Sequence, residues 1–279
     1  MSGCGSSGIA FSSQQPVPGV RDIICVASGK GGVGKSTLTV NLAVSLASHG
    51  LAVGVLDADL YGPSVALLLG TDNEVLVTQE GKAAPKLAHG VHSLSVGNLL
   101  APEAGLVWKG PLIAQAIEQM VYDVAWPELD VLLIDMPPGT GDIPITLLER
   151  IPVSGAVVVS TPQRLAAVDA ERAIALFHEY DVPVFGIVEN MDGYVCPCCG
   201  KINRLFQGGI VELMAKKRHV AYYGSVPLDP TANSAADAGT PFVVQDGQRP
   251  SAKAIAEVAG RLMKSLQRER ANPKIAEDA

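Results

Sequence analysis

Residues Gly29-Lys30-Gly31-Gly32-Val33-Gly34-Lys35-Ser36 constrain this chain more than any other stretch. The spacing is G-x-x-x-x-G-K-S, and it lies between a β-rich run at 23–27 and a helix-like segment at 37–48. Glycines there let backbone N–H groups turn inward around an anion without Cβ clashes, and a helix N-terminus adds its partial positive charge. In such a loop Lys35 would bridge the terminal phosphates of a nucleoside triphosphate, and Ser36 would offer its hydroxyl to Mg²⁺. An ordinary Gly-rich turn with an exposed lysine would match the letters but not the strand–loop–helix setting. The feature therefore predicts an α/β fold that binds Mg-ATP.

The rest of the chain repeats the same unit. Apolar runs at 52–56, 131–134, 156–159, 184–188 and 219–223 end in Asp57, Asp135, Ser160-Thr161-Pro162, Glu189-Asn190 and, after a short gap, Val226-Pro227. Helix candidates lie at 112–124, 165–180, 210–217 and 252–266. Continuous apolar strands without alternation are what a parallel sheet covered on both faces requires. The expected fold is a three-layer α/β P-loop NTPase with a mainly parallel central sheet and helices on both faces. Its ligands should sit at the C-terminal ends of the strands. Residues 71–90 are less regular and suit a short hairpin over one edge. One domain is expected over 21–268, between a flexible tail at 1–20, rich in Gly, Ser, Gln and Pro, and a charged tail at 269–279.

Composition removes several classes. Hydrophobic residues make up 48% of the 279, enough for a sizeable core, yet no apolar run is long enough to span a membrane. A formal net charge of −7 disfavours a broad nucleic-acid-binding face. Lys216, Lys217, Arg218 and His219 form a local basic run of the kind that usually ends a solvated helix. The first twenty residues have neither the apolar core of a secretory signal nor an arginine of a mitochondrial presequence.

Carboxylates complete the expected site. Asp135, closing an apolar strand, has the position from which a P-loop protein holds Mg²⁺. The loop after it, through Asp142, can sense the γ-phosphate. Asp57 and Asp59 end the second strand, where a carboxylate can orient an attacking water or a Mg-bound one. Alone, each acid would be a helix cap or a solvated loop residue. Their common place at strand ends beside a phosphate loop points to chemistry instead.

Five cysteines, Cys4, Cys25, Cys196, Cys198 and Cys199, do not suggest a disulfide framework, and free thiols at this density indicate a reducing compartment, the cytoplasm. Cys25 sits inside the first strand as a small core residue. Cys196-Pro197-Cys198-Cys199-Gly200 holds a C-x-x-C pair, Cys196 and Cys199, whose spacing lets two thiolates grip one metal centre. One chain supplies too few ligands for a tetrahedral site, whereas two copies about a two-fold axis supply four. A shared structural zinc and a redox disulfide are the other readings of this pair.

Lys30 places a second lysine in the phosphate loop, which resembles the deviant Walker A of the MinD, ParA and nitrogenase-iron-protein class. Without the family, Lys30 would be a solvated loop lysine. Within the class, the segments 57–64, 134–142, Thr161-Pro162-Gln163 and Glu189-Asn190-Met191 are similar to the Mrp/ApbC family of iron–sulfur carrier ATPases, over about residues 20–265. The resemblance implies a slow ATP hydrolase with Lys30, Lys35 and Asp59 as catalytic residues, Lys30 reaching a partner's phosphates and Asp59 positioning the water. It implies nucleotide contacts along Gly29, Lys30, Gly31, Gly32, Val33, Gly34, Lys35, Ser36 and Thr37, with Asp57, Asp135 and Asp142. Asn190 would meet adenine, Pro227 and Asp229 would flank it, and Ser36, Asp59 and Asp135 would hold Mg²⁺. It further implies a homodimer bridging a labile [4Fe–4S] cluster through Cys196 and Cys199 and handing it to apo iron–sulfur proteins, without nucleic acid or membrane. Cys198 departs from the family pattern, as does the single N-terminal Cys4. The contrasting expectation is a positioning ATPase like MinD or ParA with a structural zinc. Its membrane form would need the stripe Ile255, Val258, Leu262 and Leu266 as an anchor, a stripe that instead suits docking onto the sheet.

Overall fold

The computed structural model describes residues 14–72, 76–78, 81–95, 110–206 and 208–271. Cys4 and most of the two expected tails lie outside them. Strand β1 (Ile23–Ser28) is followed by helix α1 (Lys35–Ser48), β2 (Val53–Asp57) and the short α2 (Val65–Leu68). Next come β3 (Leu76–Val77), β4 (Ala83–Ala84), β5 (Lys86–Ala88), β6 (Val91–Ser95), α3 (Gly110–Tyr122), β7 (Val131–Asp135), α4 (Asp142–Arg150) and β8 (Gly155–Ser160). The chain continues through α5 (Arg164–Glu179), β9 (Val184–Val195), β10 (Ile202–Asn203), α6 (Ile210–Lys217), β11 (Tyr222–Leu228), α7 (Thr231–Asp237), α8 (Phe242–Gln245) and α9 (Pro250–Ala271).

The main sheet has nine strands in the order β10-β9-β8-β1-β7-β2-β6-β5, with β11 also paired to β9. Its centre is parallel throughout: β1 lies between β7 and β8, and β2 between β7 and β6. Among the described residues, only β5 and β10 join it antiparallel. The central strands are buried along their whole length, and apolar up to Ser28, Asp135 and Ser160 at their C-terminal ends, because helices cover both faces. One face packs α3, α4, α5 and α6 through residues such as Ile117, Leu147, Ala170 and Met214. The other packs α1, α2, α7, α8 and α9 through Leu42, Val65, Ala235, Phe242 and Ile255. This is the expected three-layer arrangement with a mainly parallel sheet.

The stripe Ile255, Val258, Leu262 and Leu266 is buried against that second face. Among the described residues, no helix is long and apolar enough to cross a membrane. The 71–90 region contains the expected hairpin, β3 with β4.

Several elements differ from expectation. Helix α1 opens at Lys35, not 37, because Gly34 at φ +78° turns the chain directly into it. The last strand is not 219–223 but β11: His219 takes a left-handed turn at φ +56° after α6, so pairing starts at Tyr222. β9 runs past Asn190 to Val195, since Tyr194 and Val195 find partners on β10. Gly193-Tyr194, just before the cysteines, is therefore strand. Helix α4 and strand β6 had no counterpart in the sequence reading. Residues 14–20 lie against the domain, with Val17 buried and Gln14 Nε2 donating to Leu148 O at 2.7 Å.

Candidate functional site

The phosphate loop begins where β1 stops. Its first glycine is required by packing: a Cβ at Gly29 would overlap the backbone of Asp169 in α5, so only glycine lets loop and helix approach this closely. Ser28 Oγ donates to Lys30 O at 2.9 Å, and Gly139 N donates to Ser28 O at 2.8 Å, tying the loop to the segment after β7. A cavity of about 270 Å³ opens over the loop, lined by Lys30, Lys35, Ser36, Asp59, Ser64 and Pro138 among others.

Beneath this cavity lies a buried polar cluster. Lys35 Nζ is 2.7 Å from Asp135 Oδ2, with side-chain exposures of 6% and 0%. Ser36 Oγ donates to the same oxygen at 2.6 Å, and Thr39 Oγ1 donates to Oδ1 at 2.7 Å. Asp135 thus joins lysine, serine and threonine of one helix turn, and a phosphate arriving over α1 would compete with it for Lys35. The donor set fits Mg²⁺: a hydroxyl and a carboxylate already in contact, with Asp59 on the same cavity. When bound, Mg²⁺ supplies charge to the transferring phosphoryl group. The chain's own part is to present Lys35 and Ser36 at the helix mouth and to hold Asp135 in place beside them.

Asp57 has a different place. It is the register partner of Asp135 across β2 and β7 and is fully buried. Its Oδ2 accepts hydrogen bonds from Ser64 N at 2.9 Å, Val65 N at 3.0 Å and Ser95 Oγ at 2.9 Å. Burial, and then the charge of Asp135, push its carboxyl up to about 6 against those bonds. Asp57 organises the turn into α2 from below the cavity and does not line it. Asp59 does line it, and its Oδ1 accepts from Tyr61 N and Gly62 N at 3.3 and 3.2 Å. Asp142 is exposed at the first turn of α4 and borders neither this cavity nor the next.

A second cavity, of about 410 Å³, continues from Gly34 and Thr37 to Asn190, Pro227, Asp229 and Phe242. It joins the phosphate loop to a mostly apolar cleft, the shape a purine base needs. Asn190 Nδ2 donates to Val33 O at 2.8 Å, so the β9 residue expected at the base holds the loop directly. The Asp229 side chain is engaged within the protein. Arg249 binds it with two nitrogens at 2.6 and 2.7 Å, and Ser251 and Thr231 add hydroxyl donors. Burial alone would raise its carboxyl, but these bonds outweigh it and hold the group well below the usual range. Asp229 therefore shapes the cleft wall rather than presenting free oxygens to a ligand.

The cysteines occupy the turn between β9 and β10. Cys196 N donates to Lys201 O at 2.9 Å and Gly200 N donates to Cys196 O at 2.8 Å, with Gly200 at φ +69°. Cys196 is half-buried, whereas Cys198 and Cys199 are exposed. Amides of Cys198 and Cys199, and then the Cys199 thiol, hydrogen-bond the Cys196 sulfur and draw it below its usual range. Cys25 is buried in β1, and burial alone pushes its thiol up, as for an inert core residue.

Sequence reasoning missed Thr39, although it stands one helical turn after Lys35 and so shares its face. It also missed Ser95, Arg249 and Ser251, which only the folded chain brings to Asp57 and Asp229, and Met191, at φ +62° within β9.

A loop that opens a buried helix, with its lysine and serine turned onto a strand-end aspartate and a base-sized cleft alongside, defines a P-loop ATPase. A family model described as the NUBPL iron-transfer P-loop NTPase, of the ParA group, matches residues 19–263, and the chain belongs to that family. The iron-sulfur cluster carrier protein of Escherichia coli K12 is 44% identical over 255 residues, which cover 91% of this chain and 69% of that one. A nucleotide-binding protein from Archaeoglobus fulgidus, solved with ADP and with cobalt detected, superposes with a TM-score of 0.71 at 41% identity, covering 81% of this chain and 89% of that one. MinD of Aquifex aeolicus, in its MinC:MinD complex, shares the fold at a TM-score of 0.63 and 23% identity, covering 88% and 96%.

Proposed function

We propose that this ATPase is an iron–sulfur cluster carrier that binds a [4Fe–4S] cluster between two copies of the chain and passes it to apo-proteins under control of Mg-ATP. The observation that carries the reading is the hairpin turn at 196–200. It presents a C-x-x-C pair, Cys196 half-buried and Cys199 exposed, at the end of the strand that also holds the phosphate loop. Amide hydrogen bonds to a cysteine sulfur stabilise the thiolate that iron requires. The two C-x-x-C thiols of a single chain leave the coordination incomplete, and a second copy completes it. The E. coli relative's description as a cluster carrier supports the same cargo.

In this reading Lys35 and the loop amides hold the β- and γ-phosphates. Ser36 and Asp135 take Mg²⁺, Asp59 orients the water, and Lys30 reaches the phosphates of the second copy. Asn190 lies in β9 and Cys196 directly follows the last residue of that strand, so displacement of the phosphate loop is felt at the cysteine turn. Between them Met191 is left-handed, and the β11 pairing slips between Val226 and Leu228. An irregular strand of this kind can take two settings.

Anaerobic reconstitution tests the cargo. Wild type should take up roughly four iron and four sulfide per two chains with a visible charge-transfer band. Cys196→Ala and Cys199→Ala should lose nearly all of both. Zinc in place of iron and sulfide, or iron kept at the wild-type level in either variant, would refute the assignment. A positioning ATPase would instead sediment with liposomes or DNA when given ATP.

A further inference from the structure

More of β9 than Asn190 lines the cleft beside the phosphate loop. We propose that Tyr194 is a nucleobase-contacting residue: its ring closes the base end of the cleft of about 410 Å³, and a base held against it fixes the stretch of β9 that leads into the cysteine turn. The inference rests on the nucleotide reading above and deepens it, since it makes the base, and not only the phosphates, a part of ATP that the cysteine turn feels.

Met191 and Tyr194 both line that cleft, although they stand three residues apart on a strand, where side chains at odd spacing point to opposite faces. The backbone explains it. Between the pairs Asn190–Val226 and Tyr194–Leu228, β11 has one residue, Pro227, and β9 has three. Proline has no N–H to give the ladder, and β9 bulges across it by two residues. Within the bulge Met191 is left-handed at φ +62°, and its Cε lies beside Gly34 of the phosphate loop. Asp192 is buried instead, with Oδ2 3.5 Å from Arg204 Nε. Gly193 lies against β10, where a Cβ would meet Ile202 and the backbone of Asn203. Tyr194 then rejoins the sheet, paired with Leu228 on one side and Asn203 on the other.

Among the described residues, two aromatic side chains line the cleft. Phe242 is packed into the core, so its ring is already covered. Tyr194 is half-buried, which leaves part of its ring available to a ligand. A flat purine gains from contact with such a ring face, and this stacking needs no particular hydrogen-bond pattern. Asn190 already ties one end of the bulge to the phosphate loop through Val33 O at 2.8 Å. A base against Tyr194 would hold the other end, and the residues between would lose their freedom to slip. Tyr194 and Val195 are also the residues whose pairing with Asn203 and Ile202 forms the base of the cysteine hairpin. Phosphates alone reach the Gly34 side of the bulge, whereas a whole nucleotide reaches both ends.

The test titrates the full chain, before any reconstitution, with Mg-ADP and separately with Mg-pyrophosphate, which carries phosphates but no base. Wild type should bind ADP more tightly than pyrophosphate. Tyr194→Leu should bind ADP about tenfold more weakly, the loss of one stacking contact, while its pyrophosphate affinity stays at the wild-type value. Tyr194→Phe, which keeps the ring, should restore ADP binding. Iodoacetamide labelling of the exposed Cys198 and Cys199, followed peptide by peptide, reads the turn. Saturating ADP should slow labelling in wild type and Tyr194→Phe but not in Tyr194→Leu, and pyrophosphate should slow it in none. Unchanged ADP affinity in Tyr194→Leu, or an equal loss for both ligands, would overturn the proposal. So would a wild-type turn that ADP leaves unprotected or that pyrophosphate protects equally. A wild type that binds neither ligand would sink the nucleotide reading instead, and failure to take up iron and sulfide the carrier reading, so the three failures are distinct.

Discussion

Removing the charge of Lys35 should destabilise the empty protein as well as stop catalysis. Lys35 and Asp135 are paired at 2.7 Å where almost no water reaches, and the neighbour of Asp135 in register is the buried Asp57. Lys35→Met keeps the length of the side chain and leaves two adjacent carboxylates without their cation. Breaking a buried pair by deleting one partner costs about 3–5 kcal/mol. Ser36 and Thr39 still donate to Asp135, so the low end, about 3 kcal/mol, is expected. For a domain of this size that corresponds to a fall of about 6–12 °C in Tm. The double variant Lys35→Met, Asp135→Asn removes the uncompensated charge and should recover most of the loss, although neither variant should turn over ATP. Urea and thermal melts without nucleotide, arranged as a double-mutant cycle, measure both. A single variant as stable as wild type, or a double variant no better than the single, would refute the argument.

Asp57 predicts a pH dependence. Its carboxyl is raised from 3.8 to about 6, so the folded state holds this proton more tightly than the unfolded chain does. The stability it contributes is complete below the unfolded value and is lost as pH rises through about 6. Roughly two units at 1.36 kcal/mol each make that loss about 3 kcal/mol. Urea melts from pH 4.5 to 7.5 should show this slope, flattened in Asp57→Asn. At the phosphate loop, Gly29→Ala should cut ATP turnover at least about tenfold, because its Cβ would meet the Asp169 backbone, which cannot swing aside. A steady-state rate near wild type would show that α5 can yield. In the cleft wall, Arg249→Met should cost about 3 kcal/mol by stranding the buried Asp229, and ADP affinity measured by titration should fall with it.

The sequence by itself determined the phosphate loop, the strand ends that carry Asp57, Asp59 and Asp135, and the C-x-x-C pair. Each is written in residues close together in the chain, and local geometry is enough to give them meaning: glycines that free amides, apolar runs that must be buried on both faces, thiols spaced for one metal. The amphipathic stripe of α9 was legible for the same reason. What the tertiary structure alone decided is which acid does what. Asp57, Asp135 and Asp229 look alike in sequence, but parallel pairing buries the first beside the second, and Arg249, twenty residues on from Asp229, occupies the third. The extension of β9 to the cysteine turn likewise depended on partners in β10 and β11, which no local pattern specifies. Burial and long-range pairing set the charge state and reach of a side chain, and both are properties of neighbours rather than of the residue.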